Sequence, residues 1–128
     1  MKRMLWLAAL LTLLAGCAQP HTFDSNNLGD IAVSGFQSQE PGSCRPSDIP
    51  LDQNQVLSFF QRAITIDSRA LHDDYEWAPC YLEGTLKYSG NACTWQVRAG
   101  AIGVIACPAA EQYFACKECG DMFSSATH

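Results

Sequence analysis

The chain has no run of basic residues, three histidines, and no glycine-rich loop of the kind that cradles phosphate. Eight Lys and Arg stand against 13 Asp and Glu, a formal net charge of −5. An acidic balance without a basic patch argues against nucleic acid as a partner and against electrostatic docking on anionic lipid. No Ser/His/Asp arrangement is legible. The longest apolar run, Leu5 to Leu14, is interrupted by the polar Thr12 and is too short to span a bilayer comfortably.

What is present is concentrated at the beginning and in the cysteines. Lys2 and Arg3 precede the apolar run, and the small residues Ala15 and Gly16 stand immediately before Cys17. A charged start, a short apolar core and small residues at a cut describe a secretory signal peptide over residues 1–16. The ending Leu14-Ala15-Gly16-Cys17 resembles a bacterial lipobox. In such precursors the cysteine takes lipid on its sulfur and, after cleavage, on its amine. Ala18 rather than Asp follows Cys17, which in the lipoproteins it resembles favours the outer membrane. Several acyl chains on one cysteine exceed what stable anchoring needs. The remaining 112 residues lose Lys2 and Arg3, leaving six basic against 13 acidic residues and a formal charge of −7. Residues 17–29 are polar and aperiodic after the cysteine, and read as a lipid anchor with a flexible tether. Residues 30–128 then form a single domain facing the periplasm.

Six cysteines follow Cys17: Cys44, Cys80, Cys93, Cys107, Cys116 and Cys119. An even number in a small exported domain reads as a disulfide framework. Its pairing needs a geometric argument, and the β-pattern supplies part of one. From Cys80 onward apolar residues alternate with polar ones: Cys80, Leu82, Leu86 and Tyr88, then Cys93, Trp95 and Val97, then Ile105, Cys107, Phe114 and Cys116. Half-buried antiparallel strands produce this period. A two-residue turn at Gly90-Asn91 sets Tyr88 opposite Cys93 and Leu86 opposite Trp95. A three-residue turn centred on Gly100 sets Val97 opposite Gly103, Trp95 opposite Ile105 and Cys93 opposite Cys107. We therefore pair Cys93 with Cys107. The 15-residue loop so closed is worth about 3 kcal/mol in the chain-entropy account. Three pairings stay open among Cys44, Cys80, Cys116 and Cys119.

One helix is written clearly. Asp52 is a good N-cap, Gln55 completes a capping box, and Leu51 and Val56 are spaced as a hydrophobic staple. Val56, Leu57, Phe60, Ala63 and Ile64 fall on one face, with Phe59 beside it, and the helix is expected to end near Asp67. Ile31, Val33 and Phe36 allow a short strand. The proline- and glycine-containing stretch 37–50 reads as a loop stapled by Cys44. The expected fold is α+β: one helix on the Trp95 face of a four- to five-stranded antiparallel meander, disulfide-stapled.

Two clusters carry candidate chemistry. Cys116-Lys117-Glu118-Cys119 is a C-x-x-C, which elsewhere serves as a redox dithiol or half a zinc site. A redox motif belongs at the start of a helix in a βαβ setting, and here it follows a meander strand, so a structural disulfide is the better reading. His72, Asp73, Asp74 and Glu76 have the residue types for metal binding or acid–base work. As a solvated loop, Asp73, Asp74 and Glu76 instead offer an acidic contact surface. The other histidines, His21 and His128, fall in the tether and at the last residue.

The stretch Tyr75-Glu76-Trp77-Ala78-Pro79-Cys80, with Gly84, Trp95, Gly100, Gly103, Cys116 and Cys119, resembles a family of small exported proteobacterial proteins. That pattern runs Y-x-W-x-P-C, G, W, G-x-G and C-x-x-C. The resemblance covers about residues 56–119. Cys93 and Cys107 depart from it as an added staple, and at Ile102, between Gly100 and Gly103, the match is looser. The family carries no assigned activity, so the likeness implies a fold. It also implies that Cys80 belongs in one structural unit with Cys116 and Cys119.

These readings converge on an outer-membrane-anchored lipoprotein that binds protein in the cell envelope without turnover or cofactor, as immunity proteins and lysozyme inhibitors do. Its partner would be an envelope protein with a basic surface. The competing reading is a metal, redox or enzymatic protein using the C-x-x-C or the His72/Asp73/Asp74/Glu76 cluster.

Overall fold

The structure, a computed structural model, describes residues 22–75 and 77–123. The expected cleavage site, Cys17, His21, Glu76 and His128 lie outside the described residues. Six strands form one antiparallel sheet: β1 (Leu28–Ser38), β2 (Ile64–Ile66), β3 (Cys80–Tyr88), β4 (Asn91–Arg98), β5 (Ile102–Ala106) and β6 (Glu111–Ala115). Their order is β1-β3-β4-β5-β6-β2. Two helices, α1 (Gln53–Arg62) and α2 (Ser68–Asp74), complete an α+β domain that is mostly sheet.

The meander β3 to β6 follows the alternation expected of it. Its β4–β5 register has Trp95 opposite Ile105 and Val97 opposite Gly103, as the three-residue turn at Ala99-Gly100-Ala101 requires. Gly100 and Ala101 take positive φ there, 91° and 62°. The β3–β4 register differs from expectation by two residues. The turn is Ser89-Gly90, with φ of 48° and 81°, the paired positive angles of a tight hairpin turn. Leu86 therefore faces Cys93, Gly84 faces Trp95 and Leu82 faces Val97. A shift of two leaves every side chain on its expected face, because the strand period is two. The shift also has a steric reason. A β-carbon on Gly84 would lie 2.7 Å from the Trp95 indole and 1.9 Å from the Ala32 carbonyl oxygen, so only glycine lets Trp95 lie flat across β3.

Helix α1 forms as written. Asp52 accepts from the Gln55 backbone N–H and the Gln55 side chain accepts from the Asp52 N–H, both at 2.9 Å. Val56, Phe59 and Phe60 are buried on the Trp95 face, where Phe60 meets Phe114 edge-on at 5.1 Å. Gly103 provides the room: a β-carbon there would lie 2.6 Å from Phe59 and 2.9 Å from Phe60.

The helix stops at Arg62, short of Asp67, and the sheet has more than the four or five expected strands. Both corrections share a cause. Ile64-Thr65-Ile66 is a β-branched run, stiff at χ1 and favoured in strands, and it pairs with β6 as the sheet edge. Asp67 then caps α2 by accepting from the Ala70 N–H at 2.6 Å. Ile64, expected on the buried helix face, is instead 57% exposed. The N-terminal strand is also longer than the short one expected. Ahead of it, Phe23 stacks on Tyr88 at 5.1 Å and meets Phe114 edge-on at 4.7 Å.

The three disulfides are Cys93–Cys107, as the register required, Cys44–Cys80 and Cys116–Cys119. The Cα–Cα distance of 4.4 Å at Cys93–Cys107 suits a non-hydrogen-bonded pair across an antiparallel ladder. Cys80 is bonded to Cys44, so the unit implied for Cys80 with Cys116 and Cys119 is not a covalent one, although all three lie in the same core. Gly84→Ala is expected to lower stability by about 3 kcal/mol or more in chemical denaturation, because its clash is with backbone and with a fully packed indole. A loss under 1 kcal/mol would show that the β1–β3 spacing is not set by this contact.

Candidate functional site

The chain crosses the sheet twice. β1 and β2 occupy opposite edges, so the segment holding α1 passes over one face. The return from β2 to β3 passes over the other, where β4 presents Thr94, Gln96 and Arg98. That return leg carries α2 and then Trp77, and it covers Arg98, which is 4% exposed. The Arg98 guanidinium lies 3.8 Å from the Trp77 ring centroid and 4.5 Å from that of Tyr81. Its Nη1 donates to the Ala78 carbonyl at 2.8 Å, and its Nη2 reaches the Gln96 amide oxygen at 3.5 Å. Its Nε is buried without an acceptor among the described residues. Among the described residues, no carboxylate lies within ion-pairing distance of it. Burial lowers the guanidinium pKa from its ordinary value, and the neighbouring Tyr81 acts in the opposite direction.

The arrangement fixes Trp77. One ring face rests on a buried cation, an attraction that strengthens as the pair is desolvated, and the following carbonyl is hydrogen-bonded to the same side chain. Even so, Trp77 is 48% exposed. The result is a large aromatic surface held rigidly in water at the end of α2.

Of the expected site residues, His72, Asp73 and Asp74 lie on α2 and are exposed. Asp73 contacts Arg69 at 3.6 Å and the His72 ring at 3.3 Å. No group of three or more metal-ligating side chains is assembled among the described residues. The C-x-x-C closes on itself beneath α1, with both sulfurs' residues buried. Arg62 pins the following turn through Asp121 at 3.1 Å and through the Glu118 carbonyl, and Phe123 meets Phe59 edge-on at 6.2 Å. This arrangement leaves the motif packed against the core. No helix among the described residues is long and apolar enough to cross a membrane.

In the alternation of apolar and polar residues, Arg98 falls among the polar positions of β4, on the side away from Trp95. Sequence reasoning missed the site because nothing local marks a polar alternation position as covered. The cover is supplied by a segment some twenty residues away in the chain. Comparison of the chain with protein-family models, curated proteins and solved structures returned no match. A double-mutant cycle of Trp77→Ala and Arg98→Met, read by chemical denaturation, is expected to return a coupling of about 1 kcal/mol or more. Additive effects would mean that the stack is a contact without energetic weight.

Proposed function

We propose that the protein is an outer-membrane-anchored lipoprotein that acts as a non-enzymatic protein-binding module in the cell envelope, as immunity and inhibitor proteins do. The observation that carries this reading is Trp77, an exposed aromatic immobilised on a buried arginine and flanked in the chain by the acidic end of α2. Tryptophan, tyrosine and arginine are enriched in binding hot spots, and an indole supplies large, rigid contact area with only two χ angles to freeze. Asp73 and Asp74 add a negative rim. Rim charges steer association and are screened by salt over about 8 Å at physiological ionic strength, which suits a partner with a basic surface. The exported compartment is read from the signal-peptide pattern, and three closed disulfides are compatible with it. The likeness to the exported proteobacterial family bears on fold and location.

With a partner captured from envelope extract, Trp77→Ala is expected to weaken binding by about thirtyfold or more, the hot-spot threshold of 2 kcal/mol. Ile64→Ala, at the other large exposed apolar side chain among the described residues, should change it little. Reversing Asp73 and Asp74 to lysine should slow association more than it alters the thermal midpoint. Turnover of an envelope substrate that Asp74→Asn abolishes in a folded protein would replace this reading with an enzymatic one. The anchor has its own test. Cys17→Ser should release the protein from the membrane or leave an uncleaved precursor; unchanged size and unchanged membrane partitioning would remove the lipoprotein assignment.

A further inference from the structure

The face of the sheet opposite Trp77 holds a second feature. Residues 22–27 precede β1, and on the Trp95 face Phe23 bridges Tyr88 of β3 and Phe114 of β6. Beneath this strap lies a cavity of about 500 Å³. Phe23 and Tyr88 line one part of it, Ile105 and Cys107 another, and Ala110 from the β5–β6 turn contributes only a methyl group. The volume falls in the range of small-molecule sites, and the lining is largely apolar. Gln112 belongs to the same lining.

Gln112 is the unexpected residue. It faces Ile105 across β5–β6, and Ile105 faces Trp95, so Gln112 occupies a position where the alternation calls for an apolar side chain. Its amide oxygen is buried and has no hydrogen-bond partner among the described residues. Buried polar atoms in native proteins are nearly always satisfied, and an exception calls for a cause. A molecule entering the cavity with a hydrogen-bond donor would supply the partner after a rotation of this flexible side chain.

We propose that this cavity is a binding site for a small, mostly aromatic or aliphatic molecule carrying one N–H or O–H donor, which Gln112 accepts. The site lies on the opposite face from Trp77 and is independent of the protein-binding reading. Its recognition follows the usual division in such pockets: apolar walls give affinity, and a few placed polar groups, Gln112 among Asn27, Ser89 and Asn91, give orientation.

The test uses the full chain in detergent and photolabelling with 3-hydroxybenzophenone, with benzophenone as the analogue lacking the donor. Adducts are located by peptide mass spectrometry. The hydroxylated probe is expected to label residues around the cavity, from Phe23, Ile105 or Ala110, saturably and in competition with 2-naphthol. Gln112→Leu, checked for an unchanged fold by its thermal midpoint, should reduce that labelling about fivefold to tenfold, the effect of one lost hydrogen bond. Benzophenone labelling should change by less than twofold. Ala110→Phe, at an exposed turn position, should remove labelling by both probes by filling the space. Labelling spread over Trp77 and Ile64 as strongly as over the cavity would overturn the proposal. Equal labelling of the wild type and Gln112→Leu by the hydroxylated probe would do the same, as would labelling that appears only when residues ahead of Thr22 are removed, since the chain itself would then be the occupant.

Discussion

The structure depends on how thin the sheet is at its centre. Trp95 lies flat across β3, its indole N–H donating to the Thr85 carbonyl at 3.0 Å, and it can do so only because Gly84 carries no side chain. On the same face, Phe59 and Phe60 descend onto Gly103 for the same reason. Three large aromatic side chains are fully buried over two glycines. Each aromatic buries 150–250 Å², and close packing of this kind tolerates neither an added methyl group nor a lost ring. The register of β3 on β4, the seat of α1 and the approach of β1 to β3 all follow from it.

One face is committed to that core, and the return crossing covers Arg98 on the other. The return crossing is lightly built, a two-turn helix followed by Trp77, Ala78 and Pro79, and it has little apolar surface of its own to bury. Arg98 compensates by stacking its guanidinium under Trp77 and donating to the Ala78 carbonyl. A buried cation is costly where no carboxylate among the described residues answers it, and its retention points to a role in holding geometry. Here that geometry is an indole standing half out of the surface.

The disulfides reinforce the places where the chain changes direction. Cys44–Cys80 ties the first crossing loop to the start of β3, Cys93–Cys107 locks the β4–β5 hairpin at its open end, and Cys116–Cys119 closes the turn under α1. β1 is a long sheet edge, the kind of strand that invites pairing with other chains. Its register breaks twice, and Asp30 takes a left-handed φ of 49° at the first break, a conformation aspartate tolerates better than most residues. Such irregularity interrupts the flat edge a second strand would need.

The sequence by itself determined what depends on near neighbours. The start of α1 was legible because the Asp52–Gln55 capping box is a four-residue device. The β4–β5 register and the Cys93–Cys107 bond were legible because a short turn and a period of two leave one consistent arrangement. Facing in β3 and β4 survived a misplaced turn for the same reason. What the tertiary structure decided involves partners distant in the chain. Ile64-Thr65-Ile66 becomes a strand rather than the last turn of a helix because β6 offers it a ladder. Cys44 finds Cys80 because the crossing loop folds back 36 residues. Arg98 is buried because the return leg happens to pass over its face, and Gln112, set on the Trp95 face by the β5–β6 register, shares a cavity there with the Phe23 strap. The acidic cluster was visible from the sequence, while the aromatic it flanks became a candidate contact only once the sheet supplied the arginine beneath it.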